Sequence, residues 1–452
     1  MTEKFKTPDP TMPTSADVVV IGGGTIGALV TLQLQEAGLK TVCVEAHSTN
    51  FGSSSRSAAA ARQQFGMEAN ITMQLYSVDF FANWKKTLGG TTPPMHQVGY
   101  HFMFDNNFTD NGSTRVDSKA VVAAKLKRVE KQRALGLNDV ELLMPDEVAE
   151  RFPYVDTSEL ACSTFCQTDG YCYPNVITND GFDRAKSLGA TLLQNTLVSG
   201  FKTDSNGNIT AVVTNKGEIP CQYVVNAAGV WASRVGDMVG TELPISPVRR
   251  YLYFMGPNLG QLDYDSFAKK NNLPMPMSDM PFTVTPNGAY CRADGKQFML
   301  GWDRRPSEDV IYDLPSLVDH DASIQAQDII QDGFRTNDDP SYAEEMCMEV
   351  SERLPFVLDH CGFASATSGF YGITADHSPI ISFDSNAKNL IHCTGFSGHG
   401  IMQGPAAGKL VIDLITGNTS PIVDPFVYSL GGLLSHLNGD TKNARPAEHM
   451  VI

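Results

Sequence analysis

The chain has 452 residues, of which 42% are hydrophobic and 19% charged, so it is long enough for two globular domains. Its formal net charge of −16 argues against nucleic acid or an anionic membrane surface as a partner, because both attract clustered lysine and arginine. No apolar run reaches the roughly 18 residues that a membrane-spanning helix needs.

The N-terminal segment is polar and rich in proline, and it lacks the apolar core of a secretory signal. We expect it to form a loose leader on a cytoplasmic protein. Nine cysteines are scattered along the chain, and the only close group is Cys162, Cys166 and Cys172. Their spacing matches no common zinc pattern, so we expect reduced thiols and no metal site.

A strand, a turn, a helix and a second strand are predicted within residues 17–46, "DVVVIGGGTIGALVTLQLQEAGLKTVCVEA". Residues 18–21 form a β-branched apolar run, as in a strand buried on both faces. Residues 26–37 are typical of a helix that ends at Gly38, and residues 41–44 predict the second strand.

The turn of this unit carries the spacing G-x-G-x-x-G at Gly22, Gly24 and Gly27, which is typical of dinucleotide-binding folds. The first two glycines permit the turn and the close approach of a pyrophosphate, and the third lets helix and strand pack. Glu45 is placed to accept hydrogen bonds from ribose hydroxyls, which disfavours NADP. The contacts predicted here are Gly22, Gly24, Thr25, Ile26, Gly27, Glu45 and Ala46.

Two further segments are predicted to pass the same ligand. Residues 51–62, "FGSSSRSAAAAR", have small side chains that let a backbone lie close to a flat ligand, and two arginines supply charge. Residues 191–225 predict strands joined by Asn-Gly and Lys-Gly turns, with residues 196–198 beside an adenine. The predicted contacts are Ser53, Ser54, Ser55, Arg56, Leu197 and Val198.

Two more glycine- or alanine-rich segments follow apolar strands. The first is "YVVNAAGVWA" at residues 223–232, with predicted contacts at Ala228, Gly229 and Trp231. The second is "TGFSGHGIMQGPAAGK" at residues 394–409, followed by a predicted helix over 406–415. The first unit alone leaves NAD and FAD open. Small-residue strand ends so far apart in sequence suggest one extended cofactor, which suits FAD better.

Two more segments are "YCRADGKQFMLGW" (290–302) and "GFYGITADHSPII" (369–381). Together, all of these segments resemble the motifs of one protein superfamily, and they occur in the same order. The chain is similar, over roughly residues 16–420, to the FAD-dependent amine and amino-acid oxidoreductases of the D-amino-acid oxidase superfamily. Sarcosine oxidase, glycine oxidase and D-amino-acid dehydrogenase belong to it. The motifs are specific for the superfamily and much less so for the substrate.

The resemblance implies an α/β fold with a discontinuous, Rossmann-type FAD-binding domain and a second domain on a mixed, largely antiparallel sheet. We assign residues 1–98, 159–246 and 360–425 to the FAD-binding domain. Residues 99–158 and 247–359 then form the substrate domain, and residues 426–452 a C-terminal tail that is polar over residues 436–449.

The resemblance also places the late glycine segment beside the isoalloxazine ring, where a helix N-terminus stabilises the reduced flavin. His399 would lie near the ring and tune its charge, or be a histidine satisfied within a turn. The flavin contacts implied are Gly372, Gly398, His399, Gly400, Ile401 and Met402.

Substrate anchors are implied in the same way. Arg250 and Tyr290 match residues that hold the substrate carboxylate in D-amino-acid dehydrogenases, and an arginine fork with a phenol suits a carboxylate. A surface ion pair is the alternative for Arg250. Arg62 matches a carboxylate-contacting arginine of sarcosine oxidase, or it pins a loop.

Several positions depart from the superfamily. Tyr371 replaces a carboxylate-binding arginine, Met402 a lysine with the same role, and Met299 stands near an oxygen-activating lysine. Gly369 replaces a flavin-linking cysteine, and Arg56 falls where some relatives attach FAD through histidine. We therefore expect noncovalent FAD, an incomplete carboxylate clamp, a more apolar pocket and slow reaction with oxygen.

The function predicted is oxidation of the C–N bond of a secondary, N-substituted or D-amino acid, or of another amine, by hydride transfer to the flavin. His399, Tyr290, Arg250, Tyr371 and Arg62 are the candidate catalytic residues. The electron acceptor is O2, a quinone or another redox protein. Two alternatives are a flavoenzyme that oxidises a hydroxyacid and a protein that holds FAD without a small substrate of its own.

Overall fold

The computed structural model describes residues 12–106, 117–302 and 340–448, and two large sheets and one small sheet form its frame. The strands are β1 (Ala16–Ile21), β2 (Thr41–Val44), β3 (Ala60–Ala61), β4 (Met95–His96), β5 (Tyr100–Asp105), β6 (Val140–Leu143), β7 (Leu160–Cys166), β8 (Gly170–Cys172), β9 (Thr191–Leu193), β10 (Val198–Thr203), β11 (Ile209–Thr214), β12 (Gly217–Asn226), β13 (Ser246–Pro257), β14 (Phe282–Val284), β15 (Ala289–Asp294), β16 (Gln297–Trp302), β17 (Cys361–Ile373), β18 (Ile380–Phe383) and β19 (Leu390–Thr394). The helices are α1 (Thr25–Glu36), α2 (Glu68–Ala82), α3 (Trp84–Leu88), α4 (Ser118–Ala134), α5 (Pro145–Arg151), α6 (Pro174–Ser187), α7 (Ala232–Asp237), α8 (Tyr264–Lys270), α9 (Pro340–Ser351), α10 (Phe356–His360), α11 (Gly400–Thr416) and α12 (Leu430–Leu437).

The first sheet has a parallel centre, in the order β9-β2-β1-β12-β19. Strand β18 adds an antiparallel edge, and β10 and β11 form an antiparallel meander with β12. Both turns of this meander carry the predicted Asn-Gly and Lys-Gly pairs. The β1–α1–β2 unit is confirmed, with β2 at the predicted bounds and β1 beginning two residues earlier than predicted.

Helix α11 packs closely against α1 on one face of this sheet. A Cβ atom on Gly404 would lie 2.6 Å from Leu29 Cδ1, and one on Gly408 would lie 2.5 Å from Gln33 Nε2. Gln33 Nε2 also donates to the carbonyl of Pro405 at 2.9 Å. The helix begins at Gly400, six residues before the predicted start, because this packing outweighs the poor helix propensity of glycine and proline.

The second sheet has the order β17-β13-β16-β15-β14-β5-β7-β6. Only the β14–β5 pair is parallel, so the sheet is mixed and largely antiparallel, as predicted. Strands β7 and β17 belong to this sheet, although both lie in segments that we assigned to the FAD-binding domain. The long pairing of β17 with β13 carries the chain back into the second sheet before it returns to the first.

The C-terminal segment is not the polar tail expected from its composition. It forms helix α12 and then runs to Glu448 with Arg445 and Glu448 both 1% exposed. Arg445 forms an ion pair with Asp376 and donates to the carbonyls of Ser378 and Pro379. Glu448 accepts hydrogen bonds from backbone N–H groups of the loop before α2. These polar side chains are buried because each has partners elsewhere in the fold.

Candidate active site

A cavity of about 310 Å³ runs along the carboxyl ends of β1, β2 and β12 and the segment after β19. Ligands of open α/β sheets bind at this edge. Most of the predicted cofactor residues line it, and they come from every segment that the sequence singled out. Those that line it are Gly22, Gly24, Thr25, Ile26, Glu45, Ala46, Ser53, Ser54, Arg56, Leu197, Val198, Ala228, Gly229, Trp231, Gly372, Gly398, Gly400 and Ile401.

The turn after β1 depends on glycine for two reasons. Gly22 has a φ of +113°, and a Cβ there would lie 2.4 Å from the carbonyl oxygen of Ala227. A Cβ on Gly27 would lie 1.8 Å from the carbonyl oxygen of Gly22. Gly27 does not line the cavity, and its role is to let α1 pack against the turn, as predicted for the third glycine of the motif.

Helix α1 begins in this cavity with a first turn suited to an anion. Its N-cap residue Gly24 provides no side-chain cap, and the first turn contains no acidic residue. The N–H of Thr25 donates to Ser54 Oγ at 3.0 Å, and a Cβ on Gly24 would lie 2.9 Å from the same oxygen. The bare backbone and the positive end of the helix dipole therefore fit the pyrophosphate of FAD.

Glu45 lies at the end of β2, and backbone N–H groups hold both of its carboxylate oxygens. Gly23 donates to Oε2 at 2.6 Å and His47 donates to Oε1 at 2.8 Å. Burial raises the pKa of this carboxyl group, and the N–H donors partly oppose that change. A carboxylate has further lone pairs on both oxygens, so Glu45 fits the ribose hydroxyls.

The segment after β19 brings bare backbone to the same cavity. Gly398 has a φ of +91°, and Gly398, Gly400 and Ile401 all line the cavity. A Cβ on Gly398 would lie 2.5 Å from Cε2 of Tyr371, which lines the cavity too. The neighbouring tyrosine ring and the backbone conformation both require glycine at this position.

The side chain of His399 lies behind this segment and does not line the cavity. It is 1% exposed, and its Nε2 lies 3.2 Å from Nη2 of Arg62. Burial lowers the pKa of His399, and the charge of Arg62 lowers it further. The imidazole is therefore neutral at physiological pH. A positive charge that stabilises a bound flavin would have to come from a group other than His399.

Arg62 is fully buried and also does not line the cavity. Its guanidinium lies 4.0 Å from the centre of the Phe65 ring and donates to the carbonyl of Gln64 at 3.1 Å. This placement brings Arg62 to His399 and favours the role of pinning a loop over contact with a substrate carboxylate.

Two other predicted contacts point away from the cavity. Ser55 Oγ donates to the carbonyl of Asn50 at 2.8 Å, whereas Ser53 and Ser54 line the cavity. Met402 is buried in the same hydrophobic cluster as Ile401, but Ile401 lines the cavity and Met402 does not. Successive residues of a helix are rotated by about 100°, so Ile401 can reach the cavity while Met402, the next residue, does not.

Three of the predicted substrate residues meet in one place. Arg250, Tyr290 and Tyr371 line the cavity, and Arg250 Cζ lies 5.7 Å from the centre of the Tyr371 ring. A Cβ on Gly301 would lie 2.2 Å from Tyr290 Oη, so the tyrosine packs over bare backbone of the next strand. Leu252 also lines the cavity and makes this end partly apolar.

Sequence reasoning missed several residues that line the cavity. His47 and Phe51 stack with ring centroids 4.0 Å apart, Arg234 comes from α7, and Phe370 lies between two predicted positions. His47 stands two residues after Glu45, and Phe51 is the first residue of the segment 51–62, so both had a local signal. Arg234 lies outside the segments that the sequence singled out, and Phe370 lies within residues 369–381, where its residue type alone does not distinguish it.

The two positions linked to covalent flavin in the superfamily lie against each other. A Cβ on Gly369 would lie 2.7 Å from the carbonyl oxygen of Arg56. The guanidinium of Arg56 donates to the carbonyls of Phe51 and Gly52 in its own loop. A cysteine at residue 369 would therefore need a backbone shift.

No lysine from the described ranges lines the cavity. Met299 is buried and does not line the cavity, and Lys296 Nζ lies 4.7 Å from the centre of the Tyr264 ring. Within residues 12–106, 117–302 and 340–448, no group of three His, Cys, Asp or Glu side chains could hold a metal ion. Across the same ranges, no helix is both long enough and apolar enough to cross a bilayer.

Comparison with known proteins identifies a family of FAD-dependent oxidoreductases, in agreement with the sequence motifs. The family described as FAD dependent oxidoreductase, DAO, matches residues 17–414. An FAD-dependent oxidoreductase domain-containing protein 1 from Xenopus laevis is 26% identical over 445 residues, covering 89% of this chain and 79% of that protein.

Two further relatives carry more specific names. The mitochondrial dimethylglycine dehydrogenase of Homo sapiens is 24% identical over 430 residues, which cover 91% of this chain and 44% of that protein. The crystal structure of L-proline dehydrogenase from P. horikoshii superimposes with a TM-score of 0.75 at 25% identity. It covers 95% of this chain and 99% of that one.

Proposed function

Because the chain belongs to the DAO family of FAD-dependent oxidoreductases, we propose that this enzyme oxidises the C–N bond of an N-substituted amino acid. The observation that carries the proposal is the shared cavity. An arginine and two tyrosines, Arg250, Tyr290 and Tyr371, line the same space as the glycine turn that fits the pyrophosphate. A D-amino acid or another secondary amine belongs to the same reaction class.

FAD, when bound, supplies the two-electron acceptor that takes a hydride from the carbon next to the substrate nitrogen. The task of the protein is to orient that C–H bond and to keep water away from it. The Arg250 guanidinium donates to the substrate carboxylate, and the Tyr290 phenol adds a second donor. Leu252 and Phe370 limit access of water. The product imine is hydrolysed by water to a carbonyl compound and an amine.

The named relatives support this substrate class. Dimethylglycine and proline are both amino acids whose nitrogen carries more than one carbon. A single carboxylate anchor with an apolar surround suits such substrates, because the substituted nitrogen needs space rather than many donors. The name of the human relative includes "mitochondrial", so the compartment expected from the sequence stays a prediction.

The test is an anaerobic absorbance screen of the purified holoprotein. The panel contains N-methyl and N,N-dimethyl amino acids, proline, D- and L-amino acids without N-substituents, and hydroxyacids. We expect the flavin band to bleach with an N-substituted amino acid. Bleaching by a hydroxyacid alone would move the assignment to C–OH oxidation. Flavin that no compound reduces would favour a protein that holds FAD without its own substrate.

A further inference from the structure

The buried guanidinium of Arg62 is the feature that the proposed reaction leaves without a role. It is fully buried, and it stacks over Phe65 rather than reaching the cavity. Burying a cation is costly unless nearby groups compensate its charge. The charge of a buried arginine, or the hydrogen bonds that it makes, must therefore contribute to the stability or the function of the protein.

Two carboxylates compensate Arg62 electrostatically, and both are buried. Asp169 and Glu448 each favour the charged form of the guanidinium. Asp169 accepts hydrogen bonds from the backbone N–H of Gln63 at 2.8 Å and from Nε2 of Gln64 at 3.1 Å. Glu448 accepts from the backbone N–H of Met67 at 3.0 Å. The same loop therefore carries the arginine and the amide groups that hold its counter-charges.

His399 connects Arg62 to the cavity. An arginine has no acceptor, so its Nη2 donates to Nε2 of His399, and the proton of the neutral ring is on Nδ1. Within the described residues, that Nδ1 has no hydrogen-bond partner, so Arg62 alone sets this tautomer. His399 is the N-cap residue of α11 and lies between Gly398 and Gly400, which both line the cavity.

We propose that Arg62 is a positioning residue that holds residues 398–401 in place through His399 and favours the reduced, more negatively charged flavin through its fixed positive charge. This inference rests on the proposed function, because it requires FAD beside that segment. It assigns Arg62 a role distinct from substrate binding. A charge acts more strongly in the low dielectric of a protein interior than in water, so direct contact with the flavin is unnecessary.

The experiment is a potentiometric titration of the holoprotein with redox dyes at pH 8. Arg62→Met should shift the flavin equilibrium at least tenfold toward the oxidised form, which is about 30 mV for a two-electron couple. Arg62→Lys keeps the charge and should retain most of the wild-type potential. Arg353→Met is the matched control, since Arg353 is another buried arginine, paired with Asp105 away from the cavity.

Asp169→Asn tests the same inference with the opposite sign and leaves Arg62 in place. Removing a counter-charge should raise the flavin potential. Nε2 of Gln64 donates to Oδ2 of Asp169, so the amide of Gln64 would have to rotate for its Oε1, which has no partner in the described part of the chain, to accept from the new asparagine side chain. A general loosening of the fold would instead shift the flavin potential of both variants in the same direction.

Shifts of opposite sign in Arg62→Met and Asp169→Asn would support the inference. Shifts of the same sign, or a potential in Asp169→Asn equal to that of the wild type, would overturn it, even if Arg62→Met does not fold. Wild-type protein that holds no flavin would overturn the proposed function itself, so the two failures are distinguishable.

Discussion

The stability of this protein should depend on pH through Asp169, a carboxyl group with no exposed surface. Burial raises its pKa from 3.8 to about 7, and the donors from Gln63 and Gln64 only partly oppose the rise. In the unfolded chain the group loses its proton near its ordinary pKa. The native state therefore binds this proton more tightly than the unfolded state, and stability falls as pH rises toward 7.

The magnitude follows from the pKa. Between pH 5.5 and about pH 7 the group is largely protonated in the native state and ionised in the unfolded state. At 1.36 kcal/mol per tenfold change in proton concentration, this interval corresponds to a loss of about 2 kcal/mol in the free energy of unfolding. Asp169→Asn removes the titration and should remove this loss.

The assay is urea unfolding of wild type and Asp169→Asn at pH 5.5 and pH 8.5, with the same FAD concentration throughout. The other titrating groups are common to both proteins, so the difference between the two free energies of unfolding isolates Asp169. Between pH 5.5 and pH 8.5, we expect the free energy of unfolding of the variant to rise by about 2 kcal/mol relative to that of the wild type. A difference that does not change with pH would refute the reasoning.

Four other outcomes are expected. Heat or acid should release the flavin, because Gly369 and Arg56 offer neither a cysteine thiol nor a histidine imidazole for a covalent link; flavin that stays with the precipitate would contradict this. Gly24→Val should give colourless protein, since the side chain fills the cradle, and its flavin content measures the effect. Arg250→Met should weaken an acidic substrate by about 1.5–3 kcal/mol in the concentration dependence of flavin reduction, whereas Arg249→Met, which does not line the cavity, should not. Reoxidation by O2 should be slow and by a quinone faster, because Met299 supplies no charge; stopped-flow reoxidation by air that keeps pace with turnover would show the opposite.

The sequence predicted those parts of the site that depend on neighbouring residues in the chain. The glycines after β1, their helix and the carboxylate after β2 follow one another within a single unit, so spacing alone indicates their roles. The second sheet and its mixed character were predicted from the resemblance to the superfamily. Side-chain direction at a helix start was not predictable, so His399 was expected at the flavin, although its ring points back toward Arg62.

The remaining differences between the sequence predictions and the structure come from long-range packing. Arg445 and Glu448 have the composition of a solvated tail, but their partners lie 69 and 381 residues away, at Asp376 and Met67. No local pattern contains that information. The early start of α11 is of the same kind, because contact with α1 stabilises a turn that glycine and proline disfavour.

The close contact between α1 and α11 has a consequence for the length of ligand that the protein accepts. Both helices begin at the cavity, α1 at the turn that fits the pyrophosphate and α11 at Gly400, and the glycines Gly404 and Gly408 let the two helices pack closely. The spacing between the two anchoring ends is thus fixed by a helix pair and not by the loops that touch the ligand. Substitutions among the substrate residues would leave this spacing unchanged, whereas a bulkier residue at the helix contact would displace both helix N-termini together.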